Sequence, residues 1–144
     1  MTMRYEPLTL TEGELLLEEQ SEVLRRQAHP HFVHNGTISS QAFRPTPGDA
    51  GQLSVRRESL SAEDAFKDHC DTYGLKSAGT WGVSVGEVIE AGARTIDDSA
   101  TPDAPKAHAY IDFRSLNPRE TQKVSKILKN YAHRRGRLYP PEGS

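Results

Sequence analysis

The chain of 144 residues is 35% hydrophobic and 26% charged, and its 18 Lys and Arg against 20 Asp and Glu leave a formal net charge of −2. A mean hydropathy of −0.69 and the lack of any apolar run near the ~18–20 residues of a membrane span exclude a transmembrane reading, while a single cysteine, Cys70, excludes an internal disulfide framework and a multi-cysteine zinc or iron–sulfur site. The length suits one domain over residues 1–144, and Met1–Glu14 lacks the basic start, apolar middle and small-residue cleavage site of a signal peptide, so a cytoplasmic location is expected.

A first helix is expected over residues 11–26. Thr11 and Glu14 have capping-box spacing, and Leu15, Leu16, Leu17, Val23 and Leu24 form an apolar stripe with the glutamates mostly outside it. Residues 28–36 read as a loop, broken by Pro30 and by Asn35-Gly36, a dipeptide that accepts positive φ and favours a turn. Thr37–Phe43 leans to strand and ends at Pro45, Pro47 and Gly48. With Gln52–Arg56 it is expected to form a hairpin with a long loop.

The second helix is expected over 62–73, with Ser61 as N-cap, Asp64 at the third position and Gly74 just past the end. Ala62, Ala65, Phe66, His69, Cys70 and Tyr73 recur at helical spacing and predict one buried face. Trp81, Val83 and Val85 alternate as a half-buried strand should, and Gly86–Ala91 has room for one or two helical turns. Residues 95–106, rich in Asp and Pro without an apolar period, read as an exposed loop. Ala107, Ala109, Ile111 and Phe113 then alternate with His108, Tyr110 and Asp112 as another strand.

The third helix, over 118–135, has Asn117 as N-cap, Pro118 at N1, Glu120 at N3 and Gly136 at its end. Val124, Ile127, Leu128, Tyr131 and Ala132 make its apolar stripe and leave Lys123, Lys126, Lys129 and Arg134 on an outer basic face. Leu138–Pro141 has the composition of a short edge segment, and residues 140–144 are expected to form a flexible end. Strands interspersed with capped helices, without regular βαβ alternation or repeats, predict an α+β fold: a small, mostly antiparallel sheet packed with three helices.

The near-neutral total is a cancellation. Residues 1–22 carry six acidic side chains against Arg4, a net of −5, whereas residues 122–138 carry six basic side chains and no acid, a net of +6. Opposite poles of this kind suit a protein partner, self-association between the acidic and basic helices, or a nucleic acid on the basic end.

Candidate chemistry is sparse. His29, His31 and His34 fall within six residues, which suits acid/base work or ligation, but a structural zinc site wants four ligands, so no metal site and no cofactor is expected. His108, Tyr110 and Asp112 share one face of their strand, and an imidazole pair of His29 or His31 with His108, beside Asp112, would serve as general acid and base if the fold joined them. Ser39 and Ser40 could hold an anion, as could Arg26 and the other basic pairs Arg56-Arg57 and Arg134-Arg135. Lys123, Lys126 and Lys129 complete the candidate binding residues. Arg26, Ser39-Ser40 and Glu87 or Glu90 follow the order of an ADP-ribosyltransferase-like arrangement at loose spacing, and no family is identified from these residues. His69 and Cys70 sit on an apolar stripe and read as core.

These readings order three functional expectations. The first is a small cytosolic binding or accessory protein, of immunity or regulatory type, acting on a protein partner through its charge-polar surface. The second is an enzyme acting on a nucleotide or RNA phosphate, a hydrolase or ADP-ribosyltransferase-like, with the histidines as acid and base. The third is nucleic-acid binding by the basic C-terminal helix.

Overall fold

A computed structural model describes residues 9–141. Six strands form one antiparallel sheet in the order β1 (Leu15–Leu16), β7 (Arg94–Asp97), β8 (His108–Asp112), β5 (Gln52–Arg56), β2 (Val23–Ala28), β6 (Gly79–Ser84). A small hairpin of β3 (Val33–His34) and β4 (Thr37–Ile38) turns at Asn35-Gly36, both at positive φ. The helices are α1 (Ala62–Lys67), α2 (Val85–Ala91) and α3 (Pro118–Arg135). This is the expected α+β domain with an antiparallel sheet and three α-helices, although the first helix is not where periodicity placed it.

Residues 11–26 are not helical, so the acidic pole is not a helix face. The Thr11 N–H does bond Glu14 Oε1 at 2.9 Å, but Gly13 takes φ +88°, a left-handed conformation that closes a turn instead of propagating a helix. Leu15 and Leu16 then run along the sheet edge, 67% and 42% exposed, while β2 is drawn into the sheet and pairs with β6 along its whole length. Arg4 and Glu6 of the acidic count, and residues 142–144 of the expected flexible end, lie outside the described residues.

Other expectations are corrected by long-range pairing and by local side-chain bonds. Ser39 accepts a hydrogen bond from the Gln41 N–H and starts a 3-10 turn over Ser40–Phe43, because its hydroxyl offers the backbone an alternative to a ladder. The expected hairpin of 37–43 with 52–56 is therefore absent, and β5 lies between β8 and β2. Residues 95–97 of the expected 95–106 loop belong to β7, where Thr95, Ile96 and Asp97 are buried. β6 is buried on both faces, by α3 on one and by α1 on the other, where Thr80 Oγ1 donates to the Ala62 carbonyl. The 62–73 helix is α1 followed by a π-helical turn over Asp68–Thr72, with only Ala65 fully buried.

The boundaries of α3 are as expected, with Asn117 and Glu120 forming the reciprocal cap. Its Val124, Leu128 and Ala132 join Leu24, Leu53, Val55, Trp81, Val83, Ala109 and Ile111 in the core. The Ser125 hydroxyl lies 2.9 Å from the Phe43 carbonyl oxygen and ties the helix to the 40–43 turn. Leu138 and Tyr139 lie against Thr80 at the sheet edge, as the short segment predicted.

Arg57 clamps three strands. Its guanidinium donates to both carboxylate oxygens of Glu22, at 2.8 and 2.7 Å, and to Asp97 at 2.7 Å. The Arg57 bonds hold the Glu22 carboxyl below its usual range against burial. Burial likewise opposes ionisation of Asp97, but the Ser99 hydroxyl and N–H, with Arg57, outweigh it.

Leu128→Ala should lower unfolding free energy by about 3 kcal/mol, whereas Leu16→Ser should change it by less than ~0.5 kcal/mol; urea denaturation distinguishes the edge strand from a core helix, which would make Leu16 costly to remove. Because the Glu22 and Asp97 carboxyls are depressed in the folded state, their stabilisation is full above about pH 5 and is lost as pH falls through the folded values. Arg57→Met should cost about 3 kcal/mol at neutral pH and flatten the fall in stability measured between about pH 5 and pH 3.

Candidate anion-binding cavity

The polar groups on the other face of β7 and β8 form a connected chain. The Asp112 carboxylate, its side chain 1% exposed, accepts from Arg94 Nε at 2.9 Å and from Arg114 Nε at 2.8 Å, and it also takes the Arg114 backbone N–H at 3.0 Å. Burial opposes its ionisation, but the Arg114 and Arg94 bonds prevail and hold its pKa below the ordinary value. Arg114 Nη2 also donates to Tyr110 Oη at 3.1 Å, and that hydroxyl donates to Glu14 at 2.6 Å. Burial and the Glu14 bond push the Tyr110 pKa up, so Tyr110 stays a donor.

Arg114 is thereby fixed where β8 runs out toward α3, and its Nη1 has no hydrogen-bond partner among the described residues. It faces a cavity of about 630 Å³ lined by Arg44, Pro45, Thr46, Pro47, Ala50 and Gly51 on one side, and by Phe113, Arg114, Leu116, Pro118, Thr121 and Gln122 on the other. The Arg44 guanidinium makes no hydrogen bond or ion pair among the described residues, although its Nε is out of contact with solvent. Such a group carries a desolvation penalty that an anion would relieve. The nearby carboxylates are engaged: Asp49 accepts from the Thr46 N–H and hydroxyl, at 2.7 and 3.0 Å, and Asp112 is held as above. The cavity also opens at the positive end of the α3 dipole.

Gly51 sets the floor. It has φ +80°, and a Cβ there would lie 2.8 Å from Arg114 Cγ and 3.3 Å from Arg114 Cα. The close approach brings the Gly51 carbonyl to the Phe113 N–H at 2.8 Å and aligns the two walls.

The residues singled out in the sequence are dispersed. His29 and His31 pack in a tilted arrangement, with ring centroids 4.5 Å and planes 60° apart, and His29 Nδ1 accepts the His31 N–H. His108 Nδ1 bonds Asp98 at 2.6 Å and stands opposite Arg56, which stands opposite Arg25. His29 lies four residues beyond Arg25, ~13 Å farther along the strand direction. No hydrogen bond, ion pair or ring contact among the described residues joins the 29–34 segment to His108 or Asp112, and Asp112 is committed to two guanidiniums. His69 is half-buried, with Nε2 3.3 Å from the Lys76 carbonyl oxygen.

Arg26 has a structural place. β2 and β5 pair at Arg25 and Arg56, and Arg26 donates to the carbonyls of Ala42 at 2.7 Å and Ser54 at 2.9 Å. Burial pushes its pKa down to about 10. Arg135 is held by Glu87, at 2.6 and 3.1 Å, and by the Gly82 carbonyl. Glu87 also caps α2, so Arg26, Ser39 and Glu87 serve three separate local roles. In contrast, Lys123, Lys126 and Lys129 make no ion pair among the described residues, and Arg134 lies over the Tyr131 ring.

Arg44 and Arg114 escaped the sequence reading because neither belongs to a basic pair or a motif. Their only local signal is position, one after the 3-10 turn and one between a strand and an N-cap. No protein-family model matches the chain, nor does any curated protein or solved structure.

Gly51→Ala should destabilise by about 2–3 kcal/mol, combining left-handed strain with a clash, whereas Gly36→Ala should cost about 1 kcal/mol. Gly36 has φ +78°, but a Cβ added there would meet nothing within 4 Å. Thermal unfolding of the two variants separates backbone strain from the packing that holds Arg114.

Proposed function

We propose that this protein binds the phosphate backbone of a nucleic acid through α3. The observation that carries the reading is a row of unpaired cations on the outer face of a helix whose inner face is anchored in the core. Arg119, Lys123 and Lys126 are exposed, Lys129 is partly so, and none has an ion-pair partner among the described residues. Residues 118, 122, 126 and 129 follow one another at i+4 and i+3 spacing, so the ridge that begins with Pro118 and Gln122 at the cavity continues into Lys126 and Lys129. Eighteen residues extend about 27 Å, long enough to follow several phosphates.

The acidic end supports the same choice. Glu14 and Glu22, two of the five described acidic side chains of that pole, bond Tyr110 and Arg57, whereas Lys123, Lys126 and Lys129 of the basic pole have no ion-pair partner among the described residues. Release of counterions from the nucleic acid supplies the driving force.

Fluorescence anisotropy with a labelled single strand tests this. Neutralising about four phosphates predicts a slope of about −3 for log K against log salt. Lys126→Glu with Lys129→Glu should abolish binding at near-physiological salt without loss of thermal stability. A salt-independent signal, or equal binding by the double variant, overturns the reading. Salt-sensitive association of the protein with itself in place of the strand would assign α3 to a protein surface.

A further inference from the structure

We propose that the cavity at the start of α3 receives a terminal phosphomonoester nucleotide of the bound strand, with Arg44 and Arg114 holding its phosphate. The inference rests on the assignment of α3 to the backbone, and it adds a site that distinguishes a strand end from an internal position.

A phosphomonoester carries about −1.5 to −2 near neutral pH, against a single charge for an internal diester. Two guanidiniums with unused N–H groups line the same cavity: Arg44, whose side chain has no partner among the described residues, and Arg114, whose Nη1 remains after Asp112 and Tyr110 have taken Nε and Nη2. Guanidinium forks match phosphate oxygens in geometry. The side chains of Thr121 and Gln122, which carry no hydrogen bond among the described residues, add neutral donors on the α3 wall.

Size and wall chemistry give the rest of the ligand. A cavity of about 630 Å³ falls in the ~300–1,000 Å³ range of ligand pockets, more than a phosphate group fills. Pro45, Pro47, Leu116 and Pro118 present apolar surface to the remaining volume, suited to the sugar and the flat face of a base. The next phosphates of the strand then meet Lys126 and Lys129 on the ridge leaving the cavity. A free nucleoside monophosphate shares the phosphate and base chemistry but makes none of the ridge contacts.

The test compares labelled single strands of one sequence bearing a 5′-phosphate, a 3′-phosphate or hydroxyls at both ends, with wild type, Arg44→Gln and the Lys126→Glu/Lys129→Glu variant. A phosphate at one end should tighten wild-type binding about tenfold, the size of a charge-assisted hydrogen bond. Arg44→Gln should remove that gain and leave the hydroxyl-ended strand within about twofold, with the protein's melting temperature unchanged or raised because the buried, unpartnered Arg44 Nε is gone. Free nucleoside monophosphate in excess should cancel only the gain from the terminal phosphate.

Equal affinity for all three strands in the wild type, or a gain that survives in Arg44→Gln, overturns the cavity assignment while leaving salt-dependent binding by α3 intact. If no strand binds but nucleoside monophosphate does, in a manner lost with Arg44→Gln, the strand-end assignment is overturned together with the reading of α3.

Discussion

The site depends on one buried carboxylate. Asp112 is removed from water at the end of β8 and held ionised by two arginines, one from β7 and one from the turn that leads to α3. A buried ion pair brings no automatic stability, because desolvation offsets its attraction; its effect here is orientation. By taking the Nε edge of Arg114, Asp112 fixes a guanidinium that lines the cavity and leaves its Nη1 without a hydrogen bond among the described residues. Gly51 permits the opposite wall to close on the same residue without a Cβ in between. A sheet end, a glycine turn and a helix start are thereby brought to one place by a side chain that itself meets no ligand.

Internal pairing also leaves exposed cations without ion-pair partners on α3 in a chain of nearly zero net charge. Several of the carboxylates in that balance are engaged within the molecule: Glu22 and Asp97 on Arg57, Glu14 on Tyr110, and Glu87 on Arg135. The lysines of α3 have no such partners among the described residues, since the inner face of that helix is filled by Val124, Ser125, Leu128 and Ala132. Formal charge summed over a sequence therefore says little about the potential a partner meets, which depends on which charges are paired and which are solvated.

Legibility differed sharply between elements. The last helix was readable to the residue because its signals are local: a cap, a proline at N1, an apolar stripe and a terminal glycine. The Asn35-Gly36 turn was readable for the same reason. The segment 11–26 was misread although it also carried a capping pair and an apolar stripe, because Gly13 leaves the helical region and β2 finds ladder partners on β5 and β6 that lie far away in sequence. β7 was hidden by Asp97 and the Asp- and Pro-rich run after it, which look solvated until Arg57 is seen bonded to the Asp97 carboxylate. Asp112 itself was noticed as a polar residue on a strand face, but its burial between two arginines could not be inferred from alternation.

Periodicity and capping, read within a few turns of chain, suffice for the class of the fold, a single α+β unit with an antiparallel sheet, and for the basic outer face of its C-terminal helix. Which charges remain free, and where a cavity lies, emerge only when distant strands pair. Arg44, Gly51 and Arg114 are separated by up to seventy positions in number and carry no shared motif, and the cavity exists because the pairing of β5 with β8 sets the start of one strand beside the end of the other. Such contacts depend on the whole chain folding at once, and no local pattern encodes them.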